Sequence, residues 1–292
     1  MAVARGDEPL PVDPPVGLGE DQPLGDLRPV GVLGVLDGGF AMLRFRFGRL
    51  VGLAALPLLP LIAAELVVVL RAATSPAVDP LSTPSSLEFL AASSSSSGWS
   101  LLFALLGAVV TTWVGLAVGA TARAWSEDVD PTWSQIAGAA LRRAWVAPVL
   151  TLVTLAIKLP ASCFLGVGFV LADALVFIAA VVAGGERLGP FAAVGRSVAL
   201  TRRSYPQALG ICVGGLVITS VLQLVVLVGP LTLVSTFGVS GTVAAVVGQA
   251  AGLVVLVTVP LTACIAARAW LELRCRVEGA DLDARAAVRG LV

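Results

Sequence analysis

Three ionisable side chains stand inside the long apolar runs of this chain: Glu65, Lys158 and Asp173. A lone charge at mid-helix in a membrane costs about 2.5–3.5 kcal/mol, so such residues are the first candidates for function. One lysine between two acids at a shared depth suits two tasks, receiving a lipid headgroup or relaying a proton. The same residues also suit a structural salt bridge, or side chains that reach out to the nearby interface. A second set is basic and closes three amphipathic stretches: Arg44, Arg46, Arg142, Arg143, Arg202 and Arg203. Guanidinium groups placed there meet the phosphates of anionic lipids.

Other chemistries find little to work with. The chain has no histidine, which removes the commonest general base and metal ligand. Cys163, Cys212, Cys264 and Cys275 occur singly, outside any metal-type spacing. No disulfide, metal site or cofactor is expected. There is no Gly-x-Ser-x-Gly and no glycine loop of the kind that cradles phosphates, so no catalytic residue is assigned. The basic segments flank apolar runs, which points to a membrane surface rather than to nucleic acid.

The elements that carry these residues follow from composition. Of 292 residues, 57% are hydrophobic and only 13% charged, against about 25% charged in an average soluble domain. A helical span needs about 20 apolar residues. Residues 144–183 supply two such lengths back to back, with Pro160, Gly166 and Gly168 at the turn. The whole chain predicts an all-α polytopic membrane protein with six spans, near 50–70, 99–121, 144–164, 166–183, 207–229 and 242–270. Spans three and four form either a full crossing pair or a re-entrant hairpin. Residues 1–34 are rich in proline, glycine and acids and predict a disordered tail. The membrane domain is expected over 35–278 and a charged tail over 279–292. Residues 72–98, with three prolines and the serine run 93–97, read as a flexible loop. Pro57 and Pro60 should bend the first span.

Three stretches have a helical apolar face with basic residues beside it, the mark of helices lying in the membrane interface. The first carries Leu36, Phe40, Leu43, Phe47 and Leu50 on one face. The second carries Trp133, Ile136, Ala140 and Ala144, and the third Phe191, Val194, Val198, Thr201 and Tyr205. Each precedes a pair of spans, so the plan is threefold. The glycine pairs Gly115/Gly119, Gly210/Gly214 and Gly248/Gly252 suit close helix packing within the bundle. Arginine distribution gives the orientation. With both termini on one side, all but Arg71 and Lys158 of the 19 basic residues fall on that side. Cytoplasmic loops collect such residues, so both termini are expected in the cytoplasm, in a multi-pass protein of the cell membrane.

Residues 28–48, from Arg28-Pro29-Val30-Gly31 through Leu36-Asp37-Gly38-Gly39-Phe40 to Phe47-Gly48, resemble the opening of the glycerophosphoryl diester phosphodiesterase membrane-domain family. Members typically begin Arg-Pro-Leu-Gly-x-Gly-Glu-Ile-Leu-Asp-Gly-Ala-Phe. The middle is similar too, with Glu186, Leu188-Gly189-Pro190, Arg196-Ser197 and Leu200-Thr201-Arg202, and so is the end, Leu271-Glu272-Leu273-Arg274-Cys275-Arg276-Val277-Glu278-Gly279-Ala280-Asp281-Leu282. Gly34 stands where the family usually has glutamate. The resemblance implies a six-span helical membrane domain, here free-standing and without the catalytic domain of the fused members. It does not imply catalysis. A non-enzymatic protein that binds or moves lipid, or supports an envelope process, is the first expectation. Its partners would be membrane lipids, with cytoplasmic or membrane proteins as further candidates. A scaffold anchoring such partners is the alternative, and a membrane-embedded glycerophosphodiester hydrolase the least favoured reading.

Overall fold

The computed structural model describes residues 30–74, 86–127, 129–164, 166–236 and 252–279. Their regular structure is entirely helical: α1 (Val32–Phe45), α2 (Phe47–Thr74), α3 (Ser86–Ser126), α4 (Trp133–Arg142), α5 (Val146–Ser162), α6 (Val167–Val176), α7 (Ala179–Gly185), α8 (Pro190–Arg203), α9 (Tyr205–Thr236) and α10 (Val255–Glu278). Five helical segments are long and apolar enough to cross a membrane, and α4 with α5, bent by 64° at their junction, make a sixth if taken as one span. The chain is an all-α polytopic membrane protein.

The short helices α1, α4 and α8 share one design. Their N-caps have nearly the same extended backbone, at Gly31 (φ −73°, ψ 176°), Thr132 (φ −68°, ψ 158°) and Gly189 (φ −71°, ψ 166°). Counted from the cap, α1 and α8 bury the same positions: Val35 and Ala193, Leu36 and Val194, Gly39 and Ser197, Met42 and Leu200, Leu43 and Thr201. In α4 the first three recur as Ile136, Ala137 and Ala140. Both α1 and α8 break into the next helix through one conformation, φ −133°, ψ 44° at Arg46 and φ −130°, ψ 43° at Ser204. Thr132 closes a capping box with Gln135 at the start of α4, which satisfies donors that a helix start otherwise leaves free. The buried stripe is rotated from the one the aromatic spacing suggests. Phe40, Trp133 and Phe191 are exposed, as is Phe47 at the start of α2. These helices have two apolar faces, one on the bundle and an aromatic one turned outward.

Packing is cyclic. Helix α4 lies across α2 and α3, and α8 across α5, α6 and α7, in each case the pair that precedes it. Helix α1 closes the ring on the last pair, α9 and α10. Helices α3, α7 and α10 meet at the centre, α3 against α7 most extensively. Glycine makes that contact possible. A methyl group at Gly119 would overlap the Val181 carbonyl, and one at Gly184 the Leu116 carbonyl. Gly210 and Gly214 receive Val32 and Leu36 of α1. Two of the three glycine pairs therefore pack within the chain; Gly248 lies outside the described residues.

Several boundaries differ from the sequence expectation. Residues 86–98, read as loop, extend α3 as helix. Serine costs only a few tenths of a kcal/mol against alanine in a helix, and adding residues to a formed helix needs no new nucleus. The last helix ends at Glu278, beyond the expected 270, and Gly279 (φ 65°) stops it. Its charges, from Arg268 onward, are carried on a helix largely buried in the bundle. The fourth span is broken between α6 and α7. Ser197 and Thr201 of α8 donate to the Leu175 carbonyl at 2.7 and 3.3 Å, the side-chain insertion that typically interrupts a helix. The third span, α5, has 17 residues, about 25 Å at helical rise against about 30 Å of hydrocarbon. Gly166 turns the α5–α6 hairpin at φ 76°. The expected tails lie almost wholly outside the described residues.

Candidate functional site

Lys158, the only lysine in the chain, projects from the last turns of α5 and Asp173 from α6. The hairpin brings Nζ within 2.5 Å of Asp173 Oδ1, with both side chains largely enclosed. The Phe169 ring lies 5.7 Å from the ammonium, close enough for a cation–π attraction. The Cys212 thiol of α9 donates to the other carboxylate oxygen at 3.5 Å. Asp173 is thus held from two helices.

This ion pair forms part of the wall of a cavity of about 210 Å³ between α3, α5, α6, α7 and α10. Thr111 and Thr112 of α3, Thr154 of α5 and Thr262 of α10 add hydroxyls to the lining. Each donates to a carbonyl of its own helix, at 2.9, 2.9, 3.0 and 2.7 Å. Lone pairs remain as acceptors, although Thr112 already shares a hydrogen bond with the Thr151 hydroxyl at 2.8 Å. The cavity therefore offers one cationic donor, one carboxylate and several neutral acceptors. Glu65 does not join them. It is half-buried on α2, which packs on α3 and α10, and among the described residues no ion pair reaches it. Apolar spacing gives the depth of Glu65 but not the side of the bundle it occupies.

The six interfacial arginines divide. Arg44, Arg142, Arg202 and Arg203 are exposed, and among the described residues no acid pairs with them. Arg46 and Arg143 serve the fold. Arg46 donates to Asp130 at 2.8 Å and stacks 4.3 Å over the Phe45 ring. Arg143 donates to the carbonyls of Ala183 and Arg187 at 2.8 and 2.5 Å.

The same end of the bundle holds carboxylates that apolar spacing did not single out. Burial pushes the Asp130 carboxyl up, but hydrogen bonds from Arg46, Trp125 and Arg49, with the Arg46 charge, outweigh it and hold it below its ordinary value. Glu186 accepts from Arg196 at 3.0 Å and from the Trp270 indole at 3.1 Å, and Arg196 also meets Glu278. Burial opposes the charge on Arg196, and the hydrogen bonds and charges of the two acids overcome it, raising its pKa above the ordinary value. Glu272 is buried. It accepts the Val30 N–H at 3.0 Å and Arg276 at 2.6 Å, and so fixes the entry to α1. Glu186, Arg196, Glu272, Arg276 and Glu278 all belong to the family-like motifs, which was the signal in the sequence that could have found them.

No family model, no curated protein and no solved structure matches this chain.

Proposed function

We propose that this chain is an integral protein of the cell membrane, both termini cytoplasmic, that binds membrane lipid and catalyses no reaction. The arginine-rich end, where α1, α4 and α8 lie, then faces the cytoplasm. The α5–α6 turn faces the other side. The resemblance to the glycerophosphoryl diester phosphodiesterase membrane domain supports the helical membrane domain in this reading.

One observation carries it: the sole lysine and Asp173 meet in the wall of an open cavity lined by five helices. An ion pair serving packing alone needs no space beside it. A headgroup entering this cavity would set its phosphate against Lys158 and its hydroxyl or amine donors against Asp173 and the threonine oxygens. Replacing both partners of a buried ion pair with apolar residues is often neutral for stability. The Lys158→Met/Asp173→Leu double variant should therefore fold. Tightly bound phospholipid, counted per chain by native mass spectrometry, should fall by about one molecule relative to wild type. Equal lipid on both proteins contradicts the reading.

A further inference from the structure

A larger cavity lies at the arginine-rich end, apart from Lys158 and Asp173. It measures about 590 Å³ and is formed by α3, α4, the end of α7 and the turn after it. That volume is in the ~300–1,000 Å³ range of small-molecule sites. Four guanidinium groups line it: Arg123, Arg142, Arg143 and Arg187. We propose that this cavity binds a phosphate group, with Arg142 and Arg187 as its direct ligands.

The four arginines have different roles. Arg143 is fixed by the carbonyls of Ala183 and Arg187. Arg123 donates to the Gly185 carbonyl at 3.2 Å and to Glu127 at 2.9 Å. Arg142 and Arg187 are exposed, and among the described residues no acid pairs with them. Arg187 is also the one described non-glycine residue at positive φ, 55°. A left-handed arginine is uncommon and costs energy. Here the Arg143 guanidinium grips its carbonyl and places it on the cavity rim.

At each of the other two junctions of the threefold plan an arginine is paired with acids of the chain, although Arg44, Arg202 and Arg203 stand exposed there. Beside α8, Arg196 meets two carboxylates, Glu186 and Glu278. Beside α1, Arg276 meets Glu272. Beside α4, Asp130 turns instead to Arg46 and Arg49. Among the described residues, four cations line this cavity and one carboxylate, Glu127, pairs with one of them, Arg123. Arginine is the side chain best shaped for a phosphate, which it holds bidentately. Leu116, Ala120 and Ile136 give the cavity an apolar wall, so a phosphate attached to glycerol and acyl chains fits both halves.

Two sources carry such a group, an anionic phospholipid and a soluble phosphate ester. The test uses the full-length protein in detergent, titrated with short-chain phosphatidylglycerol, short-chain phosphatidylcholine and glycerol phosphate. Binding is read by native mass spectrometry and thermal shift. The expected result is binding of phosphatidylglycerol that weakens at least tenfold in Arg142→Gln/Arg187→Gln. Glycerol phosphate binding as well, with the same arginine dependence, also supports the site and identifies a soluble ligand. Ala139→Glu, at an exposed lining position, sets a carboxylate against Arg142 and Arg187 and should abolish binding by a folded protein. Lipid retained by the Lys158 and Asp173 cavity is not changed by these substitutions, so the two sites fail or stand separately. Unaltered affinity in the double arginine variant, or equal affinity for phosphatidylglycerol and phosphatidylcholine, overturns the proposal.

Discussion

Glu272 shows what a single carboxylate does in this bundle. Its side chain is 1% exposed and sits on α10, whose flank receives α1. It holds the Val30 N–H through both oxygens, at 3.0 and 3.1 Å, and the Gln207 amide at 3.4 Å. Hydrogen bonds to a charged group are worth about 1.5–3 kcal/mol, and leaving donors buried without a partner adds to the loss. Glu272→Ala should therefore lower stability by about 2–3 kcal/mol, read from unfolding of the detergent-solubilised protein. A variant as stable as wild type would mean that water replaces the carboxylate without cost. Single residues also differ in how far their neighbours can be read from sequence. Lys158 and Asp173 were recognisable as partners because opposite charges sit in two spans joined by a short turn. Glu65 was not separable from them, because hydropathy reports depth and not which neighbour a helix face meets.

At the scale of elements, the chain is set by where backbones touch. Helices α3 and α7 approach so closely that Gly119 and Gly184 have no room for a side chain. Gly138, on α4, faces open space: a methyl group there would meet nothing within 4 Å. The two glycines should respond oppositely to alanine. Gly119→Ala forces the helices apart and should destabilise by about 1–3 kcal/mol. Gly138→Ala only improves helix propensity and should stabilise by about 0.5–1 kcal/mol. Thermal unfolding of the pair measures the difference directly; equal shifts would refute the proposed contact. The three interfacial helices were legible in sequence from their apolar faces and terminal arginines. Their rotation was not, since Phe40, Phe47 and Phe191 look like core residues and instead face outward. A residue facing lipid and one facing protein have the same hydropathy.

At the scale of the whole molecule, three amphipathic helices form a ring at one end and three inner helices, α3, α7 and α10, form the axis. The helical class was readable, and the number of spans to within one, because membrane spans announce themselves by length and composition. The cyclic packing was not, because nothing in hydropathy tells which pair an interfacial helix covers. The arginine-lined cavity beside α4 escaped for the same reason: Arg123 and Arg187 are far from Arg142 in sequence and adjacent only in the fold. Sidedness is the claim that joins the parts, since it places the arginine cavity in the cytoplasm and the α5–α6 turn outside. The chain carries its own reporter. Cys163, in that turn, is exposed, whereas Cys212, Cys264 and Cys275 are buried. Treating intact cells with a membrane-impermeant maleimide should label the wild-type protein and leave Cys163→Ala unlabelled. Labelling of Cys163 only after the membrane is permeabilised would contradict the orientation and the outward crossing of α5 and α6 together.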